Sequence, residues 1–392
     1  MTPDKFIKIT SDFWGAYLKR IQAYNDAGDI TSSNDKIILF PNILLISITS
    51  EHYIAELLGA RKRFTGLTFK RHKEISIDRY LNQFSKEESV PLFHLNGEKH
   101  GFINLCLAQE ADFEAAKTRF PIIELFPSRL VRSGGKGAVL AFGPKFESSS
   151  IENCVFLNRH HNAIRAKHVL EMMIIGKNLT KNKYKDFLHN LSKDKIIKGV
   201  HTCASGNESA IILSGQLQNL YLLPKLRETT LGEFLKSHPE IIKDAFSTEK
   251  FVYEPYLKWI ESAEHNKDEA INPDLLIQRD DGFYDIYDIK TAALNKKSLT
   301  KGPRKRRRFI DYVEEGAAQL AHYKEYFSFS KNTEYAKEKY GVEFKNPRYV
   351  LVVGSFENAD AIEIGEAKRR FDGIDMIDYD TIVLLFLAKY YT

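Results

Sequence analysis

Asp274, Asp288 and Lys290 are the residues whose types and spacing could do chemistry. In an extended strand, residues two apart share a face, so Asp288 and Lys290 point the same way as Tyr284 and Ile286. The turn Asp280-Asp281-Gly282 sends the chain back on itself, and an antiparallel return sets Asp274 beside the end of the strand that carries Asp288. Two carboxylates and an ammonium then converge at one end of a sheet. Such a pair of carboxylates can hold a hard divalent cation, Mg²⁺ or Mn²⁺, with water in the remaining positions. That cation would polarise a phosphodiester and activate a bound water. The lysine would orient the water or stabilise charge building on the phosphoryl oxygens. The plainer reading is a solvated polar strand face, with Asp274 after Pro273 as turn chemistry. Gln319 and Tyr323, one helical turn apart, share a face and can both donate hydrogen bonds to phosphate or to water on a cation. Alone they would read as a polar pair at a helix edge.

The elements that must position these groups follow from the patterning. Leu231, Phe234, Leu235, His238, Ile241 and Ile242 fall at helical spacing. Thr230-x-x-Glu233 reads as a capping box at the start of that helix, and Pro239 bends or restarts it. Strands are expected over 251–257, 273–278 and 283–290, a long helix over 309–327 and a buried strand over 349–354. Helices follow near 361–370 and 381–391. The order α-β-β-β-α-β with a helical tail makes one mixed sheet flanked by helices. The first half reads as α+β: a helix over 6–24, a bent strand pair over 36–50, strand character around an Asn96-Gly97 turn over 92–109 and a short strand at 138–142. A helix is expected over 165–175, a lysine-rich linker over 177–185 and a further helix over 209–223. The main boundary falls near 205–225, giving an N-terminal α+β regulatory or sensing region, 1–215, and a second domain, 216–392.

Other signals are weaker. The run from Lys296 to Arg308, which includes Arg304, Lys305, Arg306, Arg307 and Arg308, carries eight positive charges and no acid. A basic loop this close to Lys290 fits contact with a DNA backbone through charge alone. Arg61-Lys-Arg63 and Lys70-Arg-His-Lys73, with Phe64 and Phe69 between them, read equally as a second nucleic-acid surface or as plain surface. Ser133-Gly-Gly-Lys-Gly137 lacks the spacing of a phosphate loop and reads as a glycine turn. His160, His161, His168 and Cys154 match no zinc spacing.

Composition bounds the rest. With 392 residues, 43% hydrophobic and 28% charged, the chain can bury full cores in two domains or three. Three scattered cysteines exclude a disulfide scaffold and fit a reducing cytoplasm. No segment reads as a secretory signal or approaches a membrane span. The net charge of +5 names no partner by itself.

Pro273-Asp274, then Asp288-Ile289-Lys290, then Gln319-Leu-Ala-His-Tyr323 resembles the PD-(D/E)xK nuclease superfamily, with a glutamine-tyrosine helix similar to the branch resembling RecB. Within it, the segments from Leu231 to Ile242, Gln319 to Phe327, Tyr349 to Ser355 and Tyr379 to Val383 look most like Shedu anti-phage defence nucleases. The likeness covers roughly residues 225–392. It implies a restriction-endonuclease-like α/β domain that cuts double-stranded DNA with Mg²⁺ or Mn²⁺, in a cytoplasmic homo-oligomer such as a tetramer. It implies Asp274 and Asp288 as metal ligands, Lys290 as the catalytic lysine, and Gln319 and Tyr323 as supporting residues at the substrate edge. Such nucleases often add an acid from the first helix. Glu228 would lie on its apolar face if the helix began at Pro224 and is preferred to Glu233. Asp288 stands where Glu is commoner. The rival readings are a repair or recombination nuclease of the same fold and a non-catalytic DNA-binding protein.

Overall fold

A computed structural model describes the chain outside residues 31–35, 74–76, 78–92, 98–99, 133–139, 161–162, 194–195, 224–226, 263–267, 370–372 and 391–392. The Ser133–Gly137 turn and His161 therefore lie outside the described residues. The chain divides into two compact units, residues 1–159 with 164–219, and residues 160–163 with 220–392. No helix among the described residues is long and apolar enough to cross a membrane.

The first unit opens on helix α1, Pro3–Ala27. Its main sheet has seven strands: β1 Ile43–Ile48, β2 His52–Leu58, β3 Thr68–Lys73, β4 His100–Gln109, β5 Ser128–Arg132, β6 Ser148–His160 and β7 Ala163–Gly176, in the order β3-β1-β2-β7-β6-β4-β5. The amphipathic pattern of α1 seats Trp14 and Leu18 against Leu44 and Ile46 of β1, Leu57 of β2 and Met173 of β7. Helix α2, Lys181–Ser192, adds Tyr184 and Leu188 to the same core. Helix α3 covers Asn207–Tyr221.

Two sequence expectations fail here. Residues 165–175 form the central strand β7, not a helix. Their Ala, Lys, Leu, Glu and Met content favours helix locally, but burial between two neighbouring strands overrides it. The supposed linker at 177–185 holds the start of α2, whose first turn is capped by the Thr180 side chain accepting from Lys183 N. The strand character expected around Asn96-Gly97 is found, with Phe93–Leu95 before the turn and β4 after it, and Phe93–Leu95 runs parallel to Leu140–Phe142.

The second unit contains a five-stranded mixed sheet: β8 Phe251–Tyr253, β9 Leu275–Gln278, β10 Tyr284–Ile289, β11 Tyr349–Val352 and β12 Ile374–Ile377, in sequence order across the sheet. Neighbours are antiparallel from β8 to β10 and parallel from β10 to β12. The helices are α4 Glu228–Ser237, α5 Pro239–Ala245, α6 Asp311–Tyr326, α7 Ser330–Tyr340, α8 Ala361–Lys368 and α9 Tyr379–Ala388. Val313, Ala317 and Leu320 of α6 pack with Tyr284 and Ile286 of β10 and Leu351 of β11. The face of β10 that carries Asp288 is thus the face that α6 covers. Pro239 does restart the helix, as α5. The capping box does not form: α4 begins at Glu228 behind Arg227, so Thr230 and Glu233 lie inside it. Strand β12 and helix α7 have no counterpart in the sequence reading. The expected strand at 251–257 is split, with Leu257–Lys258 pairing separately with Ala270–Ile271.

Candidate active site

The β9–β10 hairpin sets the carboxylates. Its tight turn needs a left-handed residue, which Gly282 supplies at φ +87°. The register pairs Leu275 with Tyr287. One further step places Asp274 opposite Asp288, and Asp274 Oδ2 accepts a hydrogen bond from Ile289 N at 2.5 Å. Lys290, just past the end of β10, stays in the sheet through its own N–H, which donates to Val352 O at 2.9 Å. Its ammonium reaches back along the shared face to within 2.6 Å of Asp288 Oδ2.

Helix α6 completes this arrangement by close approach. Gly316 faces the strands, and a Cβ there would stand 2.8 Å from Leu351 Cδ1 and 3.5 Å from Lys290 Cε. One turn on, Gln319 Oε1 accepts from Lys290 Nζ at 2.9 Å. Gln319 Nε2 donates to the Tyr323 hydroxyl at 2.5 Å, which donates to Asn272 O at 3.1 Å. A directed chain of hydrogen bonds therefore runs from the lysine through α6 to the backbone two residues before Asp274.

Electrostatics follow from burial. Burial first, then the neighbouring Asp288 and Glu228 charges, push the Asp274 carboxyl up to about 7. Burial also raises Asp288, and Glu228 adds to it against the opposing pull of Lys290. For Lys290, burial favours the neutral amine, but Asp288, Glu228 and Asp274 outweigh it and hold the ammonium above its usual range. Asp288 is buried, and its polar neighbours are the Lys290 ammonium, 2.6 Å from Oδ2, and the Tyr323 hydroxyl. A buried carboxylate beside a second carboxylate fits a hard cation. Among the described residues no three His, Cys, Asp or Glu side chains converge as a metal cluster, so water would have to supply most of the coordination.

Glu228, the first residue of α4, lies close enough to act on the charges of Asp274, Asp288 and Lys290. It reaches them although its helix starts four residues later than the face argument assumed. Glu233 is exposed. Sequence reasoning missed three hydroxyl side chains here. Tyr312 of α6 donates to Glu228 Oε1 at 2.8 Å, Thr291 binds Tyr312, and the Tyr379 hydroxyl donates to Lys290 O. The Glu228–Tyr312 contact joins residues 84 apart, beyond any local periodicity.

The basic run is an ordered loop. Thr300–Lys301 pairs with Arg308–Phe309, and residues 304–306 form a 3₁₀ turn. Arg304 binds Glu366 at 2.9 Å, and Arg307 binds Glu363 at 2.5 Å and Glu366 at 2.8 Å, both acids on α8. Lys305, Arg306 and Arg308 are exposed, and none forms an ion pair within the described residues. Elsewhere, Arg63 pairs with Asp26 at 2.9 Å and Arg71 with Asp4 at 3.8 Å. His168 is a satisfied core histidine held by Asn153 and Gln216, and burial keeps it neutral.

A family model described as Shedu protein SduA, C-terminal, matches residues 225–383. No curated protein matches the chain. The crystal structure of a repair endonuclease from Pyrococcus abyssi is similar at 10% identity and a TM-score of 0.19, over 55% of this chain and 54% of that one. The chain thus spans about half the length of that protein, and a likeness so slight carries no argument. Residues 225–383 of this chain are a Shedu family C-terminal region.

Proposed function

We propose that this chain is a metal-dependent nuclease of anti-phage defence that hydrolyses phosphodiester bonds of double-stranded DNA, and that its second unit has a restriction-endonuclease-like core. One observation carries the reading. Within a Shedu-type region, Asp274, Asp288 and Lys290 meet at the end of a mixed sheet, and the Asp288 carboxylate is buried there.

Asp274 and Asp288 would hold Mg²⁺ or Mn²⁺, with the negative charge of Glu228 acting on the pair from α4. When bound, the cation supplies Lewis acidity and a water acidic enough to attack near neutral pH. The Lys290 ammonium stays charged at neutral pH and would donate to a phosphoryl oxygen, where charge grows in the transition state. Gln319 holds the lysine on line, and Tyr323 holds Gln319. Lys305, Arg306 and Arg308 present positive charge for the DNA backbone.

The test is incubation of the full chain with supercoiled plasmid in Mg²⁺, in Mn²⁺ and in chelator. Nicked or linear product with either metal and none in chelator is expected. Intact plasmid under every metal condition, with no Mn²⁺ bound to the protein, would overturn the reading.

A further inference from the structure

We propose that Tyr312 is a positioning residue that fixes the Glu228 carboxylate against the Asp274–Asp288 pair, and so tunes cation binding at a distance of one side chain. The inference rests on the nuclease reading and deepens it.

The argument is a proton count. A phenol has one proton to give and two lone pairs to fill. The Tyr312 hydroxyl touches Glu228 Oε1 at 2.8 Å, Thr291 N at 2.8 Å and Thr291 Oγ1 at 2.7 Å. A carboxylate can only accept, so the single proton goes to Glu228. The backbone N–H of Thr291 fills one lone pair. The Thr291 hydroxyl must then donate into the other. Every capacity of the phenol is used, and each use has a fixed direction.

That arrangement answers an electrostatic problem. Glu228 is half-buried at the start of α4 and feels two other carboxyls, Asp274 and Asp288. Like charges repel, and a glutamate at a helix terminus is free to swing toward water. Tyr312 removes that freedom by donating to one oxygen. The other, Oε2, accepts no hydrogen bond from the described residues. The anchor of the phenol is Thr291, the residue after Lys290. Lysine, carboxylate pair and third acid are therefore referenced to the same strand end. The Tyr379 hydroxyl, on Lys290 O, holds that strand end from α9. The ring of Tyr312 packs half-buried against the core of the second unit, while its hydroxyl reaches Glu228 and Thr291.

The experiment measures Mn²⁺ affinity of the full chain by titration calorimetry for wild type, Tyr312→Phe, Glu228→Gln and the double variant, with melting temperature recorded for each. Tyr312→Phe should weaken Mn²⁺ binding by about 10–100-fold, the range seen when partners behind metal ligands are lost. Its melting temperature should stay near that of wild type. In the Glu228→Gln background the same substitution should cost nothing further, because the negative charge that Tyr312 orients is gone even though the amide oxygen can still accept. Should Tyr312→Phe melt early, Thr291→Val removes only the hydroxyl donor, and a smaller loss that again vanishes with Glu228→Gln supports the proposal. Unchanged affinity in Tyr312→Phe, or losses that multiply in the double variant, would overturn it while metal-dependent cutting by the wild type stood. A wild type that neither binds Mn²⁺ nor cuts DNA would bring down the nuclease reading and this inference together.

Discussion

Asp288 and Asp274 differ in what holds them, and the difference sets what each substitution does. Asp274 already accepts a backbone N–H, whereas Asp288 is met by side chains alone, the Lys290 ammonium and the Tyr323 hydroxyl. Asp288→Asn should therefore weaken Mn²⁺ binding more than Asp274→Asn, with both losing at least about tenfold, since each removes a charged oxygen ligand. Calorimetry showing wild-type affinity in both variants would place the cation elsewhere. These two acids, with Lys290, Gln319 and Tyr323, were legible because short-range periodicity fixes them: two residues per strand face, four per helical turn. Glu228 was reached by a helix-face argument whose starting point, Pro224, lies outside the described residues. Tyr312 and Thr291 were not legible, because their tie to Glu228 is made by tertiary packing alone.

Strand β7 shows why an element can be misread. Arg165, Lys167, His168 and Glu171 mark it as polar, yet all four are buried in the sheet interior. Lys167 pairs with Glu56 of β2 at 2.5 Å, and the Ser150 hydroxyl of β6 donates to Glu171. Charges paired across strands leave no trace in a single-strand pattern. Burial lifts the Glu171 carboxyl from 4.5 to about 8. A raised folded-state value means that this group's contribution to stability is fully present below about 4.5 and is lost as pH climbs through 8. Glu171→Gln, which cannot ionise, should match wild type in mild acid and exceed it above pH 8, by on the order of 1–3 kcal/mol. Denaturant melts at the two pH values decide it; a constant difference would contradict the burial argument. At helix α6, Gly316→Val should push the helix off Leu351 and Lys290, costing about 1–3 kcal/mol and reducing cleavage more than it reduces Mn²⁺ binding. Equal losses in cleavage and in binding would mean that the helix spacing does not serve the lysine.

Across the whole molecule, charge is distributed rather than uniform: a net +5, with eight cationic side chains crowded between 296 and 308. The sequence reads the run as a basic loop on the DNA backbone. Arg304 and Arg307 are tied to Glu363 and Glu366, while Lys305, Arg306 and Arg308 face solvent. Replacing the last three with Gln should weaken binding to all DNA sequences alike and flatten the log–log salt dependence by about one per lost phosphate contact. Replacing Arg304 and Arg307 should lower the melting temperature instead, with a smaller change in salt slope. If the two sets behave alike, the loop is not partitioned in this way. The central claim is the convergence of two carboxylates and a lysine on one phosphodiester, and its most direct test is Mg²⁺-dependent plasmid cutting by Lys290→Ala beside wild type at equal protein and equal Mn²⁺ affinity. The variant should still fold, because Lys290 is half-buried just past the end of β10 and its backbone N–H keeps its place in the sheet, and cutting should fall by at least about 100-fold. Wild-type cutting by the folded, metal-binding Lys290→Ala protein would contradict the account.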